Sequence, residues 1–290
     1  MTFITRFAPS PTGPLHLGHA YSALLAHDMA RAAGGSLLLR IEDIDQSRAR
    51  QSWEAQIYED LHWLGLCWPE PVMRQSNRIA RYQQALAQLT ALGLTYPCNC
   101  NRADIEAAAG APQEGVAQFG PDGRIYPGSC RHRAEETPKA EDVIRLDIAK
   151  ALALAMQQTG LRTFEETGAK FRGSHRLDPT LLIERVGDII LVRKGMGSSY
   201  HLSVVVDDAD QGITHVVRGA DLFDATQIHV LLQVLLRLPT PIYHHHDLIR
   251  DEAGKRLAKR DDARAIAKYR AEGASPSDIR RMVGLARPSA

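Results

Sequence analysis

The sequence predicts an α/β protein: a doubly wound parallel sheet, split by an insertion and followed by a short helical tail. Three observations carry this expectation. Over residues 1–97, short apolar strands alternate with helical patterns. From 98 to 130 the periodicity lapses into a stretch rich in Gly, Ala, Pro and Cys, and alternation resumes near residue 196. A βαβα order needs crossover helices and therefore a parallel sheet.

Phe3–Phe7 is the first expected strand. It runs into RFAPSPTGPLHLGH at residues 6–19, a stiff turn with three prolines and a glycine ahead of a helix over 19–33. Strand, turn and helix N-terminus together make an anion site, because free N–H groups and the helix dipole converge there. Gly18 permits close approach of a ligand to the backbone, and the imidazoles of His16 and His19 can donate to phosphate oxygens. Ser36–Ile41 is a second strand. A helix is expected over 47–65, with Trp53, Ile57, Leu61 and Leu64 at helical spacing, and another over Arg78–Leu92 that stops at Gly93. Strand-like pieces recur at Val143–Ile148 and Asp188–Arg193. The apolar run Leu202–Val206, a strand at Ile213–Arg218, a helix at Asp221–Arg237 and a His-rich strand after Pro239 and Pro241 complete the sheet. The expected divisions are 1–97 with 196–262 as one split domain, 98–195 as the insertion and 263–290 as the tail.

Bulk properties exclude several classes. The 290 residues can bury a substantial core. No apolar stretch approaches a membrane span and nothing resembles a signal peptide, so a cytoplasmic location is expected. The net charge of +1 does not announce a nucleic-acid partner, yet Arg250–Arg287 holds eleven Lys or Arg against six Asp or Glu, a surplus that could face phosphates. Four cysteines in a chain this long argue against a disulfide scaffold.

Several residues carry potential chemistry. LLLRIEDID delivers Glu42, Asp43 and Asp45 to a strand end, where carboxylates could take an amino group or a hydroxyl; Asp45 is read as the cap of the following helix. In GSSYHLSVVVDDADQGITHVVRGADL (197–222), Tyr200 can hydrogen-bond a polar substrate. Arg218 can pair bidentately with a carboxylate. Asp207, Asp208 and Asp221 read as supporting or helix-capping groups. GKRLAKRDD (254–262) is a Gly-led basic loop able to neutralise phosphate charge. Cys98, Cys100 and Cys130 lie on two short segments that suit structural zinc, with His132 as a nearby fourth ligand. His244, His245 and His246 alternate faces along a strand and so cannot easily share one ion.

The run RFAPSPTGPLHLGH resembles the signature of class I aminoacyl-tRNA synthetases, specifically the glutamyl branch, in which a "HIGH"-type His-Leu-Gly-His follows Phe-Ala-Pro-Ser-Pro-Thr-Gly. Residues 197–222 resemble that family's second amino-acid-binding region, and Arg256-Leu257-Ala258-Lys259-Arg260 occupies the place of its "KMSKS" loop. Arg256 stands there for the first lysine and Ala258 for the serine. The resemblance implies a Rossmann-type sheet with a connective, acceptor-binding insertion. It also implies activation of L-glutamate by ATP and magnesium. Glutamate contacts are then expected at Arg6, Ala8, Ser10, Glu42, Tyr200 and Arg218. ATP contacts are expected at Pro9, His16, Gly18, His19, Arg256, Leu257, Lys259 and Arg260, with His16, His19 and Lys259 catalytic. A shortened branch of the family carries Cys-x-Cys…Tyr-x-x-x-Cys, which makes Tyr126 the alternative to His132 as fourth zinc ligand. The chain ends about thirty residues after the basic loop, with no anticodon-binding domain, as in that branch. What it implies is a monomer that transfers glutamate to queuosine in the anticodon stem-loop of tRNA(Asp), a mode of RNA recognition centred on an exposed loop.

Overall fold

A computed structural model describes residues 2–108, 119–121, 123–160, 162–249 and 264–285. The chain begins with β1 (Ile4–Phe7), α1 (Leu17–Ala32), β2 (Ser36–Ile41), α2 (Gln51–Trp63), β3 (Met73–Arg74) and α3 (Ile79–Ala91). There follow β4 (Thr95–Cys98), α4 (Arg102–Ala108), β5 (Phe119–Gly120), β6 (Gly123–Arg124), β7 (Val143–Leu146), α5 (Ile148–Thr159), β8 (Thr163–Glu166), β9 (Gly173–Arg176) and α6 (Pro179–Leu181). The last part holds β10 (Ile190–Val192), α7 (Tyr200–Asp210), β11 (His215–Gly219), α8 (Ala225–Leu235), β12 (Ile242–His246), α9 (Ile266–Ala271) and α10 (Pro276–Met282).

β1, β2 and β3 pair in parallel, as do β11, β12 and β8, while β9 closes the far edge antiparallel. The Thr214 amide donates to Ile4 O at 2.9 Å and joins the two groups by laying β11 beside β1. The spatial order is thus β3-β2-β1-β11-β12-β8-β9. The direction of winding reverses between β1 and β11, and ligands of open α/β sheets gather outside the strand ends at such a point. Arg6, Glu42 and Arg218 all fall at or just past those ends. A separate antiparallel sheet, β10-β7-β4, delivers Cys98 from the end of β4.

Apolar faces build two large cores. One packs α3, α5, α7 and α8 against the sheet; the other lies between α1, α2, β1 and β2 and also takes up Ile266, Ile279 and Val283 of the tail. Among the described residues no helix is long and apolar enough to cross a membrane.

Four expectations needed correction. The helix expected over 47–65 starts at Gln51, because Asp45 O accepts from the Arg48 and Ala49 amides and closes a turn first. Asp45 therefore does not cap that helix. The strand expected to reach Ile148 stops at Leu146, since Asp147 caps α5 by accepting from the Lys150 amide at 3.1 Å. The helix expected from Asp221 starts at Ala225, after a tight turn over 220–222. Finally, β8 falls inside the span read as an insertion, yet Glu166 pairs with Tyr243 and extends the main sheet.

Candidate active site

The loop from Ala8 to His16 leads into the start of α1 and holds the expected ATP contacts Pro9 and His16. His16 caps that helix: its Nδ1 accepts from the Gly18 amide at 3.1 Å, while His19 Nδ1 accepts from the His16 amide at 3.2 Å. With both Nδ1 atoms accepting, each neutral ring carries its proton on Nε2. The two rings lie 3.8 Å apart. Space at Gly18 is tight, for a Cβ there would stand 3.0 Å from His16 Cε1 and would press on that ring. Pro9 O accepts from the Glu42 amide at 3.0 Å and so ties the loop to the end of β2.

Near the end of β2 lies a pocket of about 160 Å³ lined in part by Ser10, Glu42, Ser199 and Tyr200, three of them expected glutamate contacts. Burial pushes the Glu42 carboxyl above the usual range, opposed by Arg40 and Arg6. Such a carboxyl gains most from a further cation. Tyr200 keeps 37 % of its surface open. Its hydroxyl end is crowded by protein, which raises its pKa; Arg218 and Arg6 oppose the shift, while Glu42 and Asp208 add to it. All of these groups are therefore within electrostatic reach of one point.

The arginines differ in how they are held. Arg6 donates through Nε to Asp208 at 2.9 Å, and its Nη groups make no hydrogen bond to a described residue. Arg40, fully buried, donates through Nη1 to Asp208 at 2.7 Å and through Nη2 to Glu42 at 3.1 Å. Asp208 is held below the ordinary carboxylate range: burial raises it, and Arg6 and Arg40 more than reverse that. Arg218, 6 % exposed, meets no described carboxylate directly. It donates to His245 Nε2 at 3.0 Å, His229 Nδ1 at 3.0 Å, Thr226 Oγ1 at 2.8 Å and Leu222 O at 3.2 Å.

Asp207 and Asp208 do not cap α7. They lie within its last turns, where Asp207 accepts from Gln75, Arg78 and Tyr82. Arg40 and Glu166 drew no notice in the sequence, and His245 only as one of three strand histidines, yet Arg40 pairs with Glu42 and Glu166 reaches Arg218 through His245. An arginine inside the apolar strand SLLLRI was the available signal for the first. The predicted ATP contacts Arg256, Leu257, Lys259 and Arg260 lie outside the described residues.

The cysteine element is assembled. The three Sγ atoms of Cys98, Cys100 and Cys130 lie within 4.8 Å of one another. Tyr126 Oη stands 3.4 Å from Cys98 Sγ and 3.4 Å from Cys100 Sγ. A tetrahedron with Zn–S bonds of about 2.3 Å has edges of roughly 3.8 Å, slightly less toward oxygen, so these four atoms suit one ion. His132 is exposed and lies outside the cluster. The Arg145 guanidinium stacks 3.7 Å from the Tyr126 ring and donates to Asp188 O at 2.8 Å, fixing the ring against β7. The three histidines of β12 turn to different partners: His244 to Thr167, His245 to Glu166 and Arg218, His246 to Ser22.

Residues 2–287 match the family described as tRNA synthetases class I (E and Q), catalytic domain. A glutamyl-Q tRNA(Asp) synthetase of Rhodobacter capsulatus is 62% identical over 285 residues, covering 97% of this chain and 100% of that protein. One of Symbiobacterium thermophilum is 40% identical, over 94% of this chain and 83% of that protein. Among solved structures, a glutamate tRNA ligase from Elizabethkingia meningosepticum in complex with its amino acid superposes with a TM-score of 0.72 at 27% identity. The match covers 98% of this chain, which spans 60% of the solved one.

Proposed function

Since the chain belongs to the class I tRNA synthetases (E and Q), as a synthetase-type ligase akin to the glutamyl-Q tRNA(Asp) synthetases, we propose that it activates L-glutamate with ATP and transfers it to queuosine in the anticodon loop of tRNA(Asp). Arg218 carries the reading. Its described partners are all neutral and take four of its five N–H donors. That leaves its charge and one Nη1–H for an incoming carboxylate, a single contact in place of the bidentate pair expected from the sequence. Arg6 supplies a second cation from the neighbouring strand.

In this reading the glutamate side-chain carboxylate binds Arg218 and Arg6. Glu42 receives the α-ammonium, and its upward-shifted carboxyl becomes a settled carboxylate once that cation arrives. The α-carboxylate attacks the α-phosphorus of ATP and pyrophosphate leaves. His16 and His19 donate through Nε2–H to phosphate oxygens, and Lys259 adds positive charge where it builds on the phosphates. Most of the rate then comes from positioning and fixed electrostatics. Magnesium accompanies ATP as charge neutraliser. Cys98, Cys100, Cys130 and Tyr126 would hold zinc as a structural cross-link between the end of β4 and the 126–130 segment.

ATP–pyrophosphate exchange, followed by transfer of labelled glutamate to tRNA(Asp) with and without queuosine, tests the proposal. Exchange with glutamate and queuosine-dependent transfer are expected. Transfer to tRNA(Glu) instead would move the acceptor to a tRNA 3′ end; no exchange with or without tRNA would remove the activation step.

A further inference from the structure

Among the described residues Arg218 is buried without a direct counter-ion, and a lone buried cation is costly. Its counter-charge is one imidazole away. Glu166, 2 % exposed, accepts from His245 Nδ1–H at 2.5 Å through Oε2. Its other oxygen accepts from the Gly168 amide at 2.6 Å and the His245 amide at 2.9 Å. His245 Nε2 is left as a bare acceptor and takes the Arg218 Nε–H. Arginine can only donate, so this contact exists in one tautomer alone, the one that Glu166 enforces. The same logic runs along the other edge. His229 Nδ1 accepts from Arg218 Nη1, and its Nε2–H then donates to His201 Nδ1 at 3.1 Å. Burial, reinforced by Arg218, keeps His229 uncharged.

We propose that Glu166 and His245 are positioning residues for substrate selection: the pair anchors the Arg218 guanidinium through a neutral imidazole and keeps its counter-charge off the guanidinium itself, leaving that cation to select a carboxylate over a carboxamide on the substrate side chain. This rests on the reading that Arg218 binds the side-chain carboxylate. Distance is what makes the arrangement selective. A carboxylate in direct contact would compete with the substrate, as Asp208 and Glu42 would at Arg40. Attraction falls as the inverse of separation, so Glu166 behind His245 still offsets the burial of Arg218 without occupying it.

Glu166→Gln tests the assignment with little change of shape. A carboxamide Nε2 would face His245 Nδ1–H as donor to donor. The imidazole would then move its proton to Nε2 and turn it against Arg218 Nε–H. In ATP–pyrophosphate exchange the KM for glutamate is expected to rise about tenfold or more, the scale of one charge-assisted hydrogen bond. The KM for ATP and kcat should hold, while the preference for glutamate over glutamine falls. Equal losses in ATP and glutamate affinity, or an unchanged glutamate KM, would overturn it. Nitrogen-15 spectra of the unmutated protein provide a check that needs no variant: His245 is expected to carry its proton on Nδ1, and a proton on Nε2 would refute the mechanism. Arg218→Ala separates the layers. If it leaves the glutamate KM unchanged, the parent reading fails; if it raises KM and Glu166→Gln does not, only the positioning role fails.

Discussion

Arg40 on β2 and Arg218 on β11 flank the same strand, and both are buried, yet the protein neutralises them in opposite ways. Arg40 touches Asp208 and Glu42 directly, with Asp207 3.9 Å away, and Asp208 also holds Arg6. Arg218 is ringed by two imidazoles, a hydroxyl and a carbonyl. The first arrangement is a closed account of charge that locks β1, β2 and α7 together. The second leaves a cation partly uncompensated beside the pocket. Arg40 thus spends its charge inside the protein, Arg218 is solvated by neutral groups, and Arg6, tied to Asp208 through Nε alone, stands between the two.

Substitutions should separate the two clusters. Asp208→Asn would remove the charge that faces Arg6 and one of the two carboxylates that Arg40 hydrogen-bonds, and a loss of about 3–5 kcal/mol in stability is expected, measurable by urea unfolding. An unchanged midpoint would mean that Arg40 finds compensation elsewhere. Arg218→Ala should leave the fold standing but reduce kcat/KM for glutamate roughly 100-fold, the scale of losing a buried charged contact, as measured by exchange kinetics. A large stability loss with intact glutamate affinity would reverse the roles of the two arginines.

pH provides a third probe. Burial lowers the pKa of His229, His244, His245 and His246 from the ordinary 6.5. Below about pH 6.5 the unfolded chain therefore binds more protons than the folded one, and stability falls as pH drops. A melting temperature lower by roughly a few degrees at pH 5.5 than at 7.5 is expected. The Asp208 cluster should not respond in that window, because its carboxylate, held below the ordinary range, protonates only in stronger acid. A flat profile above pH 5.5 would show that the histidines titrate alike in both states. Smallest of all, Asp210→Ala, which removes the partly exposed partner of Arg78 and Arg81, should cost under about 1 kcal/mol in the same urea assay.

Much of this could be read in the chain. β1, the stiff loop and α1 were legible because proline, glycine and apolar spacing act locally, and β2 because an unbroken apolar run needs no partner to be recognised. The placement of Arg218 at the end of a sheet strand was legible, but its ring of neutral partners was not. What the sequence concealed was pairing at a distance. Glu166 stands in the unremarkable segment TFEE, and nothing local says that it reaches a histidine 79 positions away. Arg40 drew no reading at all, because its partner is 168 residues on. Asp45 misled in the other direction: its cap-like position lost to a turn closed by its own carbonyl. Tyr126 over His132 was likewise a matter of which side chain the backbone turns inward.

The two flanks of residues 250–263 are fastened to one place. On one side His246 Nε2 meets Ser22 Oγ at 2.8 Å on α1; on the other, the Ile266 amide donates to Leu15 O at 2.8 Å, and His16 bridges Ala265. Two stretches of chain on either side of those residues therefore share one anchorage, and α1 acts as a clasp that brings the end of the sheet and the start of the tail to the same helix.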